Sequence, residues 1–392
     1  MKSIVVVSGK RTPFGAFGGS LKDVSATDLG VAASKAAMEQ AKISPDEIDH
    51  IVMGTVVQAA KDAIYLPRHI GLKAGIPMNR GALGVNRLCG SGFQSWINAV
   101  QMIQTGESEV VLAGGVEQMS QIPYILRGAR WGYRMGQGEV EDYLTAALTD
   151  SYTGTPMAIT AENLAEQYKI SRDDVDQFAL SSQKKYKAAF DKKYFDAEIS
   201  PVTIVNPKGN VVVTKDEHPR PETTIEGLQK LKPLFKKEGT VTAGTASGIV
   251  DGACASILMS EDEAKRRNLK PMARIVSYAS VGCDPKIMGI GPVYAIQNAL
   301  KKANMKLEQM DLIEVNEAFG AQFLSVQKEL KFNPEITNVN GGAIAVGHPL
   351  GASGTRIMNH LMYELERRNK KFGVGSACIG GGQGIAIVIE RL

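Results

Sequence analysis

The sequence predicts an α/β fold, and three observations lead there. Short β-branched runs alternate with helical stretches along its 392 residues. Glycine is abundant, at 41 residues, and clusters where runs end. The two ends of the chain also align on one another at a displacement of 262 residues, Asp49 falling on Asp311. Strand–helix alternation of this kind predicts helices covering a largely parallel sheet.

The elements follow in order. Ile4 to Val7 forms a buried strand, and Asp28 to Ala41 a helix with Ala33, Ala37 and Ala41 on one face. Ile51 to Met53 is the next strand. A glycine-rich turn around Gly90 and Gly92 opens a mostly apolar helix, Phe93 to Thr105, and Val110 to Ala113 follows as a strand. The pattern resumes with a helix from Val293 to Ala303, a strand from Ile313 to Val315 and a helix from Gly354 to Arg368. Strands from Val374 to Ala377 and Ile385 to Ile389 close the chain.

The displacement makes this a repeat. Ala33, Ala37 and Ala41 meet Ala295, Ala299 and Ala303. Asp49 and Ile51 meet Asp311 and Ile313, and Leu88, Ser91 and Gly92 meet Leu350, Ser353 and Gly354. We expect two homologous halves, 1–118 (completed by about 251–269) and 270–392. The intervening 119–250 holds Arg127, Arg130 and Arg134, then Lys184, Lys185, Lys187, Lys192 and Lys193. It is expected to fold as an inserted loop domain; an excursion this long is usually functional. The lysine clusters are expected to form a solvated helix face.

Composition excludes several classes. Hydrophobic residues make up 44% and charged residues 22%, the balance of a globular protein. A net charge of +4 argues against a dedicated nucleic-acid binder, while leaving room for a local basic patch that meets an anionic ligand. No window approaches the length of a membrane span. The chain enters a strand at once, so no leader segment is expected. The four cysteines, Cys89, Cys254, Cys283 and Cys378, form no Cys-x-x-Cys pair, so no metal site is expected and the thiols should be reduced.

Four residues could carry chemistry. Cys89 sits on a glycine-rich turn at a helix start, where the helix dipole should lower a thiol pKa toward neutrality. Cys378 stands at the mouth of Gly380-Gly381-Gly382, whose backbone N–H groups are free to bind an oxyanion. His348 lies among glycines and falls opposite Asn86 in the repeat; if the halves pair about a pseudo-two-fold axis, its loop faces the loop carrying Cys89, and a His there can hold the thiolate. Asn316 ends a strand, where α/β folds place ligands. Taken singly, each has an ordinary alternative: a core thiol, a chance cysteine in a hairpin, a structural histidine, a helix cap.

In order and spacing, Leu88-Cys89-Gly90-Ser91-Gly92, Asn316-Glu317-Ala318-Phe319, Gly347-His348-Pro349 and Cys378-Ile379-Gly380-Gly381-Gly382 resemble the signature loops of the thiolase family. The resemblance extends over the whole chain, including Met157 to Asn163, Glu217-His218-Pro219-Arg220 and Gly239 to Gly248. It implies the thiolase fold, two duplicated α/β halves in a five-layer α-β-α-β-α arrangement with an inserted loop domain, assembled as a homodimer or homotetramer. It also implies roles. Cys89 becomes the acyl thioester, His348 activates it, and Cys378 exchanges a proton with the α-carbon of acetyl-CoA. Asn316, through a water, and His348 form one oxyanion hole; the N–H groups of Cys89 and Gly380 form the other. Arg220 and Thr223 approach the nucleotide end of coenzyme A, Ser247 its pantetheine, and Met157, Met288 and Phe319 wall the acyl pocket. Coenzyme A is then a substrate, and no cofactor is implied.

The implied reaction is thiolytic cleavage of a 3-ketoacyl-CoA, reversible as a Claisen condensation; the alternative is condensation of two acetyl-CoA to acetoacetyl-CoA. Acetoacetyl-CoA thiolases usually carry His where this chain has Pro156. Asp62-Ala63-Ile64-Tyr65-Leu66, Gly282-Cys283-Asp284-Pro285 and Gly289-Ile290-Gly291-Pro292-Val293 look closest to the mitochondrial-type 3-ketoacyl-CoA branch. Thr245 departs from the Asn commoner in the family's Gly-Asn-Ala-Ser-Gly. Ketoacyl synthases of the same superfamily, with one Cys and two His, are a further alternative, as is a non-catalytic CoA-binding subunit. The location implied is cytoplasmic in a bacterium, or otherwise the mitochondrial matrix.

Overall fold

The computed structural model describes residues 2–58, 60–207 and 209–392. Its main strands are β1 (Ile4–Arg11), β2 (His50–Gly54), β3 (Gly81–Val85), β4 (Val110–Glu117), β5 (Val250–Ser260), β6 (Ala273–Gly282), β7 (Leu312–Val315), β8 (Phe372–Ile379) and β9 (Gln383–Arg391). Its main helices are α1 (Ala26–Ala41), α2 (Ser91–Thr105), α3 (Met157–Tyr168), α4 (Arg172–Asp191), α5 (Gly291–Ala303) and α6 (Leu350–Arg367).

The strands run in the order β7-β8-β9-β6-β1-β5-β4-β2-β3. Two half-sheets meet at β1 and β6, which pair only at Val5 with Arg274 and Val6 with Ala273. Each half repeats the other's topology: two antiparallel pairings, then a parallel one. The register repeats as well. Ile51 pairs with Leu112 and Ile313 with Val374, both partners displaced by the same interval. Each half also carries one β-bulge, between Val6 and Ser8 and between Ile275 and Ser277.

Both faces of the strands β1, β4, β5, β8 and β9 are largely buried, so their side chains alternate between two cores rather than between core and water. Val5, Ile257 and Met259 pack under α1 in an outer core. Val6, Leu258 and Val111 face the opposite way, onto a central core with Phe93, Trp96, Ile357, Met358 and the β9 residues Ile385, Ile387 and Ile389. Ala386 and Val388 point outward under α5. The layers are therefore α1, a half-sheet, the α2–α6 pair, a half-sheet and α5: the thiolase-type arrangement expected from the sequence.

Two of the repeated identities have direct structural reasons. Asp49 Oδ2 accepts from the N–H groups of Glu109 and Val110, and Asp311 Oδ2 from those of Lys371 and Phe372, so each tethers the start of a central strand. Gly92 and Gly354 let α2 and α6 start against each other. A Cβ on Gly92 would lie 2.5 Å from Thr355 N, and one on Gly354 2.3 Å from Phe93 N.

Residues 119–249 leave β4 and return at β5, carrying α3, α4 and short hairpins. The lysine clusters there are not uniformly solvated: Lys185 is partly buried, and its Nζ donates to Thr337 O at 3.0 Å.

Candidate active site

The parallel strands β2, β3, β4 and β7, β8 gather the chemistry-bearing loops at their C-terminal ends. Cys89 follows β3, on the turn that opens α2. The turn is tight: Leu88 has φ 47°, the left-handed region. Ser91 Oγ braces it by accepting from Arg87 N and donating to Leu88 O. Arg87 donates from Nη1 to Gln383 Oε1 at 3.2 Å, tying the Cys89 turn to the turn after Cys378.

Cys378 is buried near the end of β8, beside Met288 and Ala318, with Met157 and Phe319 packed on the same cluster. Gly380 faces Met157 Sδ and Leu88 Cδ1. Cys89 lies within the fields of both Cys378 and the Gly380 N–H. The two thiols, the glycine turn and the three apolar side chains expected to wall a pocket thus come together.

Asn316 continues β7, its N–H donating to Ser376 O at 2.9 Å. Its Nδ2 lies 3.3 Å from His348 Nε2. Ser353 Oγ lies 2.5 Å from His348 Nδ1 and donates to Pro349 O at 3.1 Å. With its single proton so engaged, Ser353 accepts from Nδ1–H, which leaves Nε2 unprotonated and accepting from Asn316 Nδ2. Asn316 Oδ1 is buried and makes no hydrogen bond among the described residues, a free polar point beside the imidazole.

Electrostatics correct one expectation. The helix start does not make Cys89 acidic. Burial pushes its thiol up to about 11, against the opposing pull of the Gly380 N–H and its own backbone N–H, and with a further push from Glu117. Cys378 is held well above the usual thiol range by burial, then by Cys89 and Cys283. Burial, aided by Arg356, lowers His348 to about 3. The resting site therefore holds a neutral thiol and a neutral imidazole, not the thiolate that the dipole argument anticipates. The dipole acts only over the first turn and is worth about 0.3–1 kcal/mol at exposed positions, less than the desolvation here.

The residues expected to meet coenzyme A lie on the inserted segment. Arg220 and Thr223 line a cleft of ≈ 650 Å³ with Gln183, His218, Leu228 and Gly244. Thr223 Oγ1 donates to Arg220 O at 2.7 Å, and Arg220 forms no ion pair among the described residues. Ser247 N donates to Ala318 O, while Gly248 O accepts from His348 N, so this strip joins the Phe319 and His348 loops. Thr245 is absorbed by its own turn, donating to Thr240 O and accepting from Thr242 N.

Sequence reasoning missed three polar residues of the site. Ser353 was visible only as a repeat identity with Ser91. Glu317 accepts from Ser182, Asn338 and the Ile344 N–H, anchoring the segment that leads to His348. Glu117 ends β4 beneath the Cys89 and His348 loops. An acid ending an all-apolar strand was the one signal for it.

A duplicated α/β scaffold that gathers two thiols, an imidazole and a carboxamide at its strand ends has the make-up of a cysteine-dependent acyltransferase. The chain belongs to the thiolase family: residues 4–262 match the thiolase N-terminal domain and 269–391 the thiolase C-terminal domain. It is 56% identical to the mitochondrial 3-ketoacyl-CoA thiolase of Homo sapiens over 391 residues, spanning 100% of this chain and 98% of the relative. It is 50% identical to the acetyl-CoA acetyltransferase of Escherichia coli (strain K12), with both chains covered completely. The crystal structure of human mitochondrial 3-ketoacyl-CoA thiolase in complex with CoA superposes with a TM-score of 0.97, at 56% identity, covering 100% of this chain and 98% of that one.

Proposed function

We propose that the protein cleaves 3-ketoacyl-CoA to acetyl-CoA and a shortened acyl-CoA through an acyl thioester on Cys89. The observation that supports the proposal is that Cys89, Cys378 and Gly380 meet, and that the hydrogen-bonded Asn316–His348 pair leaves the strand that pairs with the Cys378 strand, in a chain homologous over its full length to a 3-ketoacyl-CoA thiolase. Cys89 Sγ attacks the C3 carbonyl as its proton passes to His348 Nε2. The C2–C3 bond breaks, and its electron pair leaves with the acetyl-CoA portion as an enolate, which takes a proton from Cys378 at C2. An incoming CoA thiol gives its proton to the Cys378 thiolate and attacks the thioester. The acyl group departs on CoA, and His348 returns its proton to Cys89.

Charge develops on oxygen in each step, so fixed donors carry much of the catalysis. The N–H groups of Cys89 and Gly380 serve one oxygen; Asn316 and His348, protonated once it has received the thiol proton, serve the other. Arg220, Thr223 and Ser247 hold coenzyme A, and Met157, Met288 and Phe319 accept the acyl chain. Assembly as a homodimer or homotetramer is part of this reading, since β3 is an exposed edge strand; light scattering in solution measures it.

The 50% identity to an acetyl-CoA acetyltransferase favours a second reading, acetoacetyl-CoA formation. Thiolysis rates across 3-ketoacyl-CoA chain lengths separate the two. Activity on chains longer than four carbons is expected; activity confined to acetoacetyl-CoA would sink the first reading. Cys378→Ala should still acylate Cys89 yet fail to turn over, and undiminished turnover would remove Cys378 from its role.

A further inference from the structure

Glu117 is a fully buried acid, pushed up to about 7 by burial against the pull of three backbone N–H groups, that the mechanism above does not use. It has no Lys, Arg or His partner among the described residues. Instead it accepts three backbone N–H groups: Oε1 from Val57 at 3.0 Å, Oε2 from Val56 at 3.0 Å and from Gly351 at 2.8 Å. Those donors belong to different halves. Val56 and Val57 follow β2, while Gly351 opens α6, three residues after His348.

The Val56 side continues to the nucleophile. Val56 O accepts from Asn86 Nδ2 at 3.0 Å, and Asn86 Oδ1 accepts from Leu88 N at 3.0 Å, on the strained residue before Cys89. The Gly351 side has no slack. A Cβ on Gly115 would lie 1.9 Å from Gly351 O, and one on Gly351 would lie 2.6 Å from Val116 O. One side chain is therefore joined by short hydrogen-bonded paths to the Cys89 turn and to the His348 loop.

A buried acid without a cation is costly, and an apolar side chain would fill the space more cheaply. The fold does not require the acid. In the other half the matching strand position is Ile379, which sits between Cys378 and Gly380. We propose that Glu117 is a positioning residue that fixes the Cys89 turn and the His348 loop relative to each other, and that the reaction depends on it although it touches no substrate. This rests on the reading of Cys89 and His348 given above. The carboxylate is also close enough for its charge to raise the Cys89 thiol pKa.

The test compares the full-length protein with Glu117→Gln, Asn86→Ala and, as a control, Asp49→Asn, whose carboxylate holds N–H groups at the opposite end of the same strand. Misplacing reacting groups by an ångström costs about 10²-fold, so Glu117→Gln should lower kcat by about that factor while KM for CoA stays within about twofold. Asn86→Ala should lower kcat by about tenfold without changing the melting temperature; Asp49→Asn should leave kcat within about twofold. Alkylation of Cys89 by iodoacetamide, read by mass spectrometry against pH, should shift to lower pH in Glu117→Gln, which a purely structural loss would not produce. Unchanged kcat and an unchanged alkylation profile in Glu117→Gln overturn the proposal. Should that variant not fold, Asn86→Ala decides, and wild-type kcat in it overturns the proposal. Failure of wild-type Cys89 to take an acetyl group from acetyl-CoA sinks the functional reading instead, while the alkylation profiles still decide the role of Glu117.

Discussion

Replacing His360 by Gln should cost stability below neutral pH and almost none at pH 9.5. His360 lies on α6, buried, with Nδ1 2.8 Å from Glu198 and Nε2 3.1 Å from Asn340. Burial lowers its pKa, but Glu198 and then Glu314 outweigh that and raise it from 6.5 to about 9. Burial raises Glu198, yet His360 and Arg11 bring it from 4.5 to about 2. A raised pKa contributes stability that is fully present below pH 6.5 and lost as pH climbs through 9; a lowered one contributes above pH 4.5 and is lost as pH falls through 2. Both hold between pH 4.5 and 6.5. A shift from 6.5 to about 9 at 1.36 kcal/mol per unit is about 3 kcal/mol, counted once for the shared interaction. Urea unfolding followed by the fluorescence of buried Trp96 measures it. Wild type should exceed His360→Gln by about 3 kcal/mol at pH 6, with the gap closing by pH 9.5. An equal gap at both pH values would refute the argument.

Two further outcomes follow from the site. Ser353→Ala leaves Nδ1–H without its acceptor and frees the proton to move to Nε2, where it blocks the base; kcat should fall by about 10²-fold, and rates near wild type across the pH range would show that Ser353 does not set the tautomer. Gly92→Ala puts a Cβ 2.5 Å from Thr355 N. The helix-propensity gain of about 1 kcal/mol should lose to overpacking of roughly 1–3 kcal/mol, lowering the urea midpoint; a raised midpoint would mean that α2 and α6 separate easily.

The fold was legible where pattern and packing agree. The β-branched runs at Ile4, Ile51, Val110 and Ile313 became strands because both of their faces are buried. The repeat was legible because Asp49, Asp311, Gly92 and Gly354 meet the same backbone constraint twice. β3 was illegible, since Gly81 and Gly84 lie within it and it sits at a sheet edge. In the site, the thiols and the imidazole could be read from their glycine-rich loops. Glu117, Glu317 and Ser353 could not, because what they do depends on backbone N–H groups and a ring nitrogen brought to them only by folding.

The electrostatic reversal at Cys89 bears on how the reaction starts. With burial holding the Cys89 thiol near 11 and the His348 imidazole near 3, the proton stays on sulfur at rest. A preformed ion pair would demand that two charges be desolvated in an apolar pocket before any substrate arrives. In the proposed reaction, proton loss from Cys89 then accompanies carbon–sulfur bond formation, with negative charge passing from sulfur to the carbonyl oxygen as it develops. In that proposed reaction the energetic weight falls on donors fixed around the oxygen, the Cys89 and Gly380 N–H groups. It also accounts for a Cys89 turn braced from Ser91, Arg87 and Asn86. If the thiolate does not accumulate, rate depends on how accurately the turn presents sulfur, and alkylation of free Cys89 should be slow at neutral pH even though acyl transfer is fast.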